Sequence, residues 1–214
     1  MIVIVGSLAW RLGEQPAPAG RAYEVALAAV ALGARVEVVG RAGDDPTGDA
    51  VMLGLARAGI GHVAVLRDPS RPTPVIEVPA LVDDEPAGDR PDPAPASPGP
   101  ALDAGDVSLG LQYLAAFAVL VVTDDVPSAA VPVAVEAAGF TGAHLVLLAP
   151  ADADPPEVPD QATILAAPAE ADDGAFGRLV GTYAAGLDRG TEPGRAFAEA
   201  VAAAGWEALE PRGV

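Results

Sequence analysis

Cysteine, lysine and asparagine are absent from this chain of 214 residues, and aromatic residues make up only 4% of it. Without cysteine there is no disulfide framework, no thiolate metal site and no thiol nucleophile. Without lysine no ammonium point charge is available to grip a phosphate, since all 12 basic residues are arginine. Without asparagine, no side-chain amide of that reach can hold a substrate. The shortage of rings leaves Ala, Val and Leu to build the interior of a chain that is 51% hydrophobic. At this length a single large domain with a substantial core is expected.

Basic charge is also scarce. The formal net charge of −18 disfavours nucleic acid and anionic membrane surfaces, both of like sign. It also raises the electrostatic cost of holding ATP unless a helix terminus, an arginine or Mg²⁺ offsets it. Met1–Val5 has no basic leader and reads as a first strand rather than a secretory signal. No apolar run reaches the roughly 20 residues of a membrane span, so a soluble cytoplasmic protein is expected. His62 and His144 lie far apart within apolar runs and read as strand-edge residues rather than metal ligands.

What is present alternates regularly. Ile2–Val5 is a β-branched run closed by Gly6-Ser7, the pattern of a buried strand entering a turn. A helix follows Gly20, with Tyr23, Leu27, Val30 and Ala31 at helical spacing and Gly33 ending it. Val36–Val39 is the next strand. Asp45 then suits an N-cap and Pro46 a first helical position, with Val51, Met52, Leu55 and Ala56 as the apolar face before Gly59. His62–Leu66 and Val75–Val78 read as strands. The Pro-, Asp- and Gly-rich stretch Asp83–Pro100 cannot supply a packed face and reads as a mobile loop or a much-altered edge segment.

Regularity returns with a helix over Asp103–Phe117, a strand Val119–Val122, a helix Ser128–Ala138 and a strand His144–Leu148. A Pro-rich connector, Pro150–Pro159, precedes a strand Thr163–Ala166. Phe176, Leu179, Val180, Tyr183, Ala184 and Leu187 then mark one face of a helix ending at Gly190. Thr191 and Pro193 open another that carries Phe197, Val201 and Ala204. Strands alternating with helices of these lengths predict an α/β domain spanning 1–214. Its central sheet should be mainly parallel, with helices on both faces.

The segment Ala19–Gly48 carries a glycine entry, an Ala-rich helix, Leu32-Gly33-Ala34, a strand, and then Val39-Gly40-x-x-Gly43-x-Asp45-x-x-Gly48. That order resembles the N-terminal signature of the ribokinase-like (PfkB-type) sugar and nucleoside kinases. The resemblance is strong over Ala19–Gly59 and weak at the C-terminus. It implies a three-layer fold, here with a shortened C-terminal part and a reduced lid. In that family an acidic residue after the first strand and a Gly-Gly loop with an Asn hold the sugar. A Gly-Ala-Gly-Asp loop at a helix start forms an anion hole and supplies the base.

Carried over residue by residue, the resemblance puts Arg11 at the acidic position, Ala19-Gly20 at the Gly-Gly loop and Glu24 at the Asn. It leaves Gly20, Glu24, Gly43 and Asp125 as candidate substrate-binding residues. Read without the resemblance, Asp124-Asp125 is a solvated turn capping the next helix. Gly13–Ala19 is too short for the family's lid hairpin. Anchoring on Ala175-Phe176 places the base position at Gly174 and the anion-hole glycines at Ala171–Asp173. A slip of one residue would make Asp173 a surrogate base.

Ala167-Pro168-Ala169-Glu170 stands where the family has Asn-x-x-Glu and runs almost directly into the last helices, so the nucleotide-binding block between them is missing. The expectation is a degenerate sugar kinase homologue without phosphotransfer activity. It would act by binding a small sugar-like ligand or by association, with no cofactor and no metal. The alternatives are an active carbohydrate or nucleoside kinase with a remodelled site, which would use ATP and Mg²⁺, and a purely structural subunit. A homodimer is expected, its interface around Ala162–Phe176 where the deletion leaves an uncovered edge.

Overall fold

Ile2–Val5 (β1) is buried along its whole length because it lies at the centre of a parallel sheet, flanked by strands on both sides. The computed structural model describes residues 1–77, 99–114, 116–150, 158–159, 162–168 and 174–205. After β1 come β2 (Ala9–Leu12), β3 (Ala17–Ala19), helix α1 (Arg21–Ala31), β4 (Val36–Gly43), α2 (Pro46–Arg57), β5 (Gly61–Asp68) and β6 (Val75–Glu77). Then follow α3 (Ala104–Tyr113), β7 (Val119–Val122), a short 3-10 turn at Ser128–Ala130 and α4 (Val131–Thr141). The described chain closes with β8 (His144–Pro150), β9 (Thr163–Ala167), α5 (Ala175–Asp188) and α6 (Pro193–Ala204).

The main sheet has six strands in the order β5-β4-β1-β7-β8-β9, all parallel. The alternation of side chains along each strand divides the core in two. Ile2, Ile4, Val36, Val38, Val119 and Val121 face the side covered by α1, α2, α5 and α6. Val3, Val5, Val39, Leu120 and Val122 face the side covered by α3 and α4. This is the predicted three-layer α/β architecture. Of the segment 83–100, residues 83–98 lie outside the described residues.

A second, three-stranded sheet, β3-β2-β6, stands apart from the first. β2 and β3 form an antiparallel hairpin and β6 joins β2 in parallel. The hairpin runs over Ala9–Ala19 and is short, as the reading of a reduced lid implied. Strands of four and three residues suffice because the sheet leans on α2 through Trp10 and Pro18, which meet that helix at Gly54.

The apolar face of α1 also differs from its reading in the sequence. Ala22, Val25, Ala26 and Ala29 are buried, whereas Leu27 is 43% exposed. The reason is the closeness of α5: a Cβ on Gly181 would stand 2.5 Å from the Val25 carbonyl oxygen and 2.6 Å from the Ala28 Cβ. Helices that approach this tightly select small residues at the contact and send large ones outward. The predicted face of α5 holds throughout, with Phe176, Leu179, Val180, Tyr183, Ala184 and Leu187 all buried.

Residues 169–173 alone connect Pro168 to Gly174. From β9 the chain turns back to α5, which packs over β1 and β7 beside α1. Among the described residues no strand pairs with the outer side of β9. The sheet is thus shortened on that side, as the sequence implied.

Candidate functional site

The chain leaves β1 toward β4 and β5 on one side, then crosses to β7, β8 and β9 on the other. Such a reversal opens a crevice beyond the carboxyl ends of the two central strands, where ligands of open α/β sheets bind. Here the reversal falls between β1 and β7, which lead into the segments after Val5 and after Val122. The Thr123 N–H donates to the Val5 carbonyl at 3.0 Å, and its buried hydroxyl lies 3.1 Å from the same oxygen and beside the Asp125 carboxylate. The other Asp125 oxygen accepts from the Ser7 N–H at 3.2 Å. Asp125 is exposed and does not cap the following turn, whose N-cap, Pro127, receives no side-chain bond. It instead ties the β7 end to the β1 end, which corrects the capping-turn reading.

The N-terminus of α1 forms the adjoining wall. Gly20 adopts φ 102°, a backbone region open to glycine, and a Cβ there would come within 3.0 Å of the Ser7 carbonyl oxygen. Arg21 follows it. Its guanidinium reaches Glu24 at 3.5 Å and Asp124 at 3.6 Å, and stacks over the Phe176 ring at 5.1 Å. Glu24 faces the first turn of α5: a Cβ on Gly177 would lie 3.1 Å from its Oε2, and one on Gly174 would lie 3.9 Å from its Cδ. Gly174, the residue matched to the catalytic base, is the left-handed N-cap of α5 and carries no side chain.

Gly20, Glu24 and Asp125 therefore lie near one another beside the carboxyl ends of β1 and β7, linked through Ser7, Arg21 and Asp124. Gly43 is placed elsewhere. Its N–H donates to the Thr73 hydroxyl at 2.9 Å, and a Cβ there would meet the Thr73 nitrogen at 2.5 Å. Asp45 closes this knot, accepting from Gly48 N–H at 2.6 Å, Thr73 N–H at 2.7 Å and the Thr73 hydroxyl at 3.0 Å. Burial pushes the Asp45 carboxyl upward, but these bonds and the nearby Arg67 charge outweigh it and hold the group below its ordinary value. Asp173 lies outside the described residues.

Arg11 extends from the small sheet on an exposed position of β2. Its charge is felt at Tyr23 on α1, whose hydroxyl is raised above its usual range by burial and pulled back in part by Arg11. Reading the sequence missed Ser7, Arg21 and Thr123. Thr123 and Ser7 had one available signal, a small polar residue within two positions of a buried β-branched run.

No family model matches this chain, and no curated protein matches it. Solved structures do. The crystal structure of Sa239 superposes with a TM-score of 0.69 at 15% identity, covering 100% of this chain and 95% of that one. The fold is ribokinase-like. Arabidopsis thaliana ribokinase, complexed with ribose and ATP, matches with a TM-score of 0.65 at 14% identity, over 95% of this chain and 90% of its own. A mutant of phosphofructokinase-2 from Escherichia coli matches at 0.64 and 14% identity, over 99% and 94%. These likenesses establish the ribokinase-like architecture alone, because at such identity side chains at a site are free to differ.

Proposed function

We propose that this chain is a degenerate homologue of the PfkB-type sugar kinases, one that binds a small polyhydroxylated ligand between β1 and β7 without transferring phosphate. The observation that carries this reading is Glu24 lying against the first turn of α5. In a ribokinase-like kinase that helix start would stabilise a transferring phosphoryl group. A helix N-terminus favours an anion by roughly 0.3–1 kcal/mol. Here Glu24 takes that place itself, paired with Arg21 at 3.5 Å and with the Arg178 Nη1 standing 3.6 Å from a Cβ placed on Gly174, so the protein's own ion pairs stand where the phosphoryl group would be held.

The residues present do not fit ATP. Gly174 offers no base, the chain has no lysine, and residues 169–173 leave no length for a nucleotide-binding block. Ser7, Asp125 and Glu24 supply hydroxyl, amide and carboxylate groups suited to sugar hydroxyls. Calorimetry with ATP, with and without Mg²⁺, checks the first half: no saturable binding at or below about 1 mM is expected. A thermal-shift panel of free pentoses, hexoses and nucleosides checks the second half. One-to-one ATP binding with phosphate transfer to any of these sugars would restore the alternative, an active carbohydrate kinase with a remodelled site.

A further inference from the structure

We propose that the amino ends of β4 and β5 hold a second ligand site, one that takes an organic cation: a positively charged N–H donor on an apolar stem. A cavity of about 530 Å³, open to solvent, lies there, and its walls include Glu37, Ala56, Ile60, Gly61, His62 and Val63. Glu37 stands near the start of β4, and Gly61 begins β5. The cavity is therefore at the opposite end of the parallel sheet from the crevice beyond β1 and β7. The proposal goes beyond the functional reading above and does not depend on it.

Glu37 supplies the charge. Its side chain is 13% exposed, and its Oε2 is buried with no hydrogen-bond partner among the described residues. The carboxylate lies over Gly61, where any Cβ would collide with both of its oxygens. The other oxygen faces the Arg35 guanidinium at 3.9 Å, beyond hydrogen-bond reach, and the Arg35 side chain is 77% exposed. So long and open an ion pair contributes little. A carboxylate withdrawn from water calls for a closer cation.

β5 supplies the second polar group. Glu37 pairs with Gly61 and Val39 with Ala64, so His62 and Val63 together stand opposite the single residue Val38. Bulges of this kind re-aim side chains and are common beside active sites. The His62 Nδ1 lies 3.2 Å from the Ile60 carbonyl oxygen. A carbonyl only accepts, so Nδ1 carries the proton and Nε2 of the neutral ring is left as an acceptor.

Both polar side chains of the cavity therefore accept, and neither donates to a ligand. An anion finds no partner there, whereas an ammonium or guanidinium group brings N–H donors and a charge opposite to that of Glu37. Ala56, Ile60 and Val63, the last 72% exposed, offer apolar surface to the stem. The net charge of −18 draws cations toward the chain. Glu37 and His62 alone are too few for a metal centre, and among the described residues no third ligand joins them.

The chain has two histidines, which makes the site visible by NMR. His144 starts β8, four strands from β5 and roughly 19 Å away at the usual strand spacing, and serves as the internal control. n-Butylammonium titrated into the full chain at about pH 8, where an imidazole is ordinarily neutral, should shift the His62 ring resonances saturably and leave those of His144 in place. A dissociation constant of about 1–10 mM is expected for so small a ligand. At equal ionic strength, tetramethylammonium (charge without N–H) and butanol (no charge) should bind at least about tenfold more weakly.

Glu37→Gln keeps the shape and removes the charge, and it should weaken butylammonium binding at least about tenfold with an unchanged circular dichroism spectrum. If that variant folds poorly, the comparison of the three probes on the unaltered chain decides. His62 resonances that stay in place, or that respond alike to all three probes, overturn the proposal. So does full affinity in a folded Glu37→Gln.

Discussion

Glu24 and Gly177 are in van der Waals contact, and a Cβ added to Gly177 would stand 2.5 Å from the Glu24 Cβ. The contact lets α1 and α5 meet at the mouth of the crevice. Gly177→Ala must push the helices apart and should lower stability by about 1–3 kcal/mol, read from chemical denaturation. It should also change the response of the site to any sugar that binds.

Gly139 provides the opposite case. It lies within α4, and a Cβ there meets nothing within 4 Å. Gly139→Ala should stabilise the fold by roughly 0.5–1 kcal/mol, because the helix gains propensity and the unfolded chain loses freedom. Denaturant midpoints of the two variants should move in opposite directions.

Asp45 and Thr73 should behave as one unit. Asp45→Ala removes a helix cap worth about 0.5–2 kcal/mol together with both bonds from Thr73. Thr73→Ala removes the hydroxyl shared by Asp45 and Gly43. The double variant is expected to lose less than the sum of the two single losses, by about 0.5–1.5 kcal/mol. Strict additivity in a double-mutant cycle would show that the clamp does not act cooperatively.

Acid should weaken the fold through particular carboxylates. Asp45 is held low as described. Asp68 is held low by the Ser70 hydroxyl and N–H, and Glu192 by the N–H groups of Gly194 and Arg195. A depressed folded pKa stabilises the protein fully above the unfolded value, about pH 4 for a carboxylate, and that stabilisation fades as pH falls through the lower folded value. Melting temperature should therefore fall steeply below about pH 4. Asp45→Asn should show a shallower decline there.

Asp125 is the residue most exposed to the proposed ligand while also bonded to Ser7 N–H. Asp125→Asn preserves shape and one accepting oxygen but removes the charge. Calorimetry with whichever pentose or hexose stabilises the parent chain should show affinity reduced about tenfold or more, since bonds to charged groups are worth about 1.5–3 kcal/mol.

The strands of the main sheet were legible because burial on both faces demands uninterrupted β-branched runs, and Ile2–Val5 and Val119–Val122 have them. The face of α5 was legible for a similar reason, since its large residues recur at helical spacing. The face of α1 was not, because its contact is decided by Gly177 and Gly181, about 150 residues away in sequence. The predicted helix from Asp103 stops at Tyr113 rather than Phe117, as Phe117 turns inward to the core. The hairpin β2–β3 escaped notice because strands this short take their stability from α2 rather than from their own pattern.

The order of motifs points to Gly20, Glu24 and Asp125, and the fold links them through Ser7, Arg21 and Asp124. The signature alone cannot show that Thr73, from a distant loop, takes the Gly43 N–H. Arg21 was overlooked because a charge beside a glycine has no distinctive spacing, and its partners come from β7 and α5.

The position of α5 also bears on the order in which the chain can mature. The surface of α1 that carries Ala22, Val25, Ala26 and Ala29 is completed by a helix that begins at Ala175. During synthesis, β1, α1, β4, α2 and β5 emerge long before that cover exists. Non-local closure of this kind slows folding and lengthens the exposure of apolar surface. A nascent chain halted before Ala175 would hold an open greasy seam along α1 until the penultimate described helix arrives.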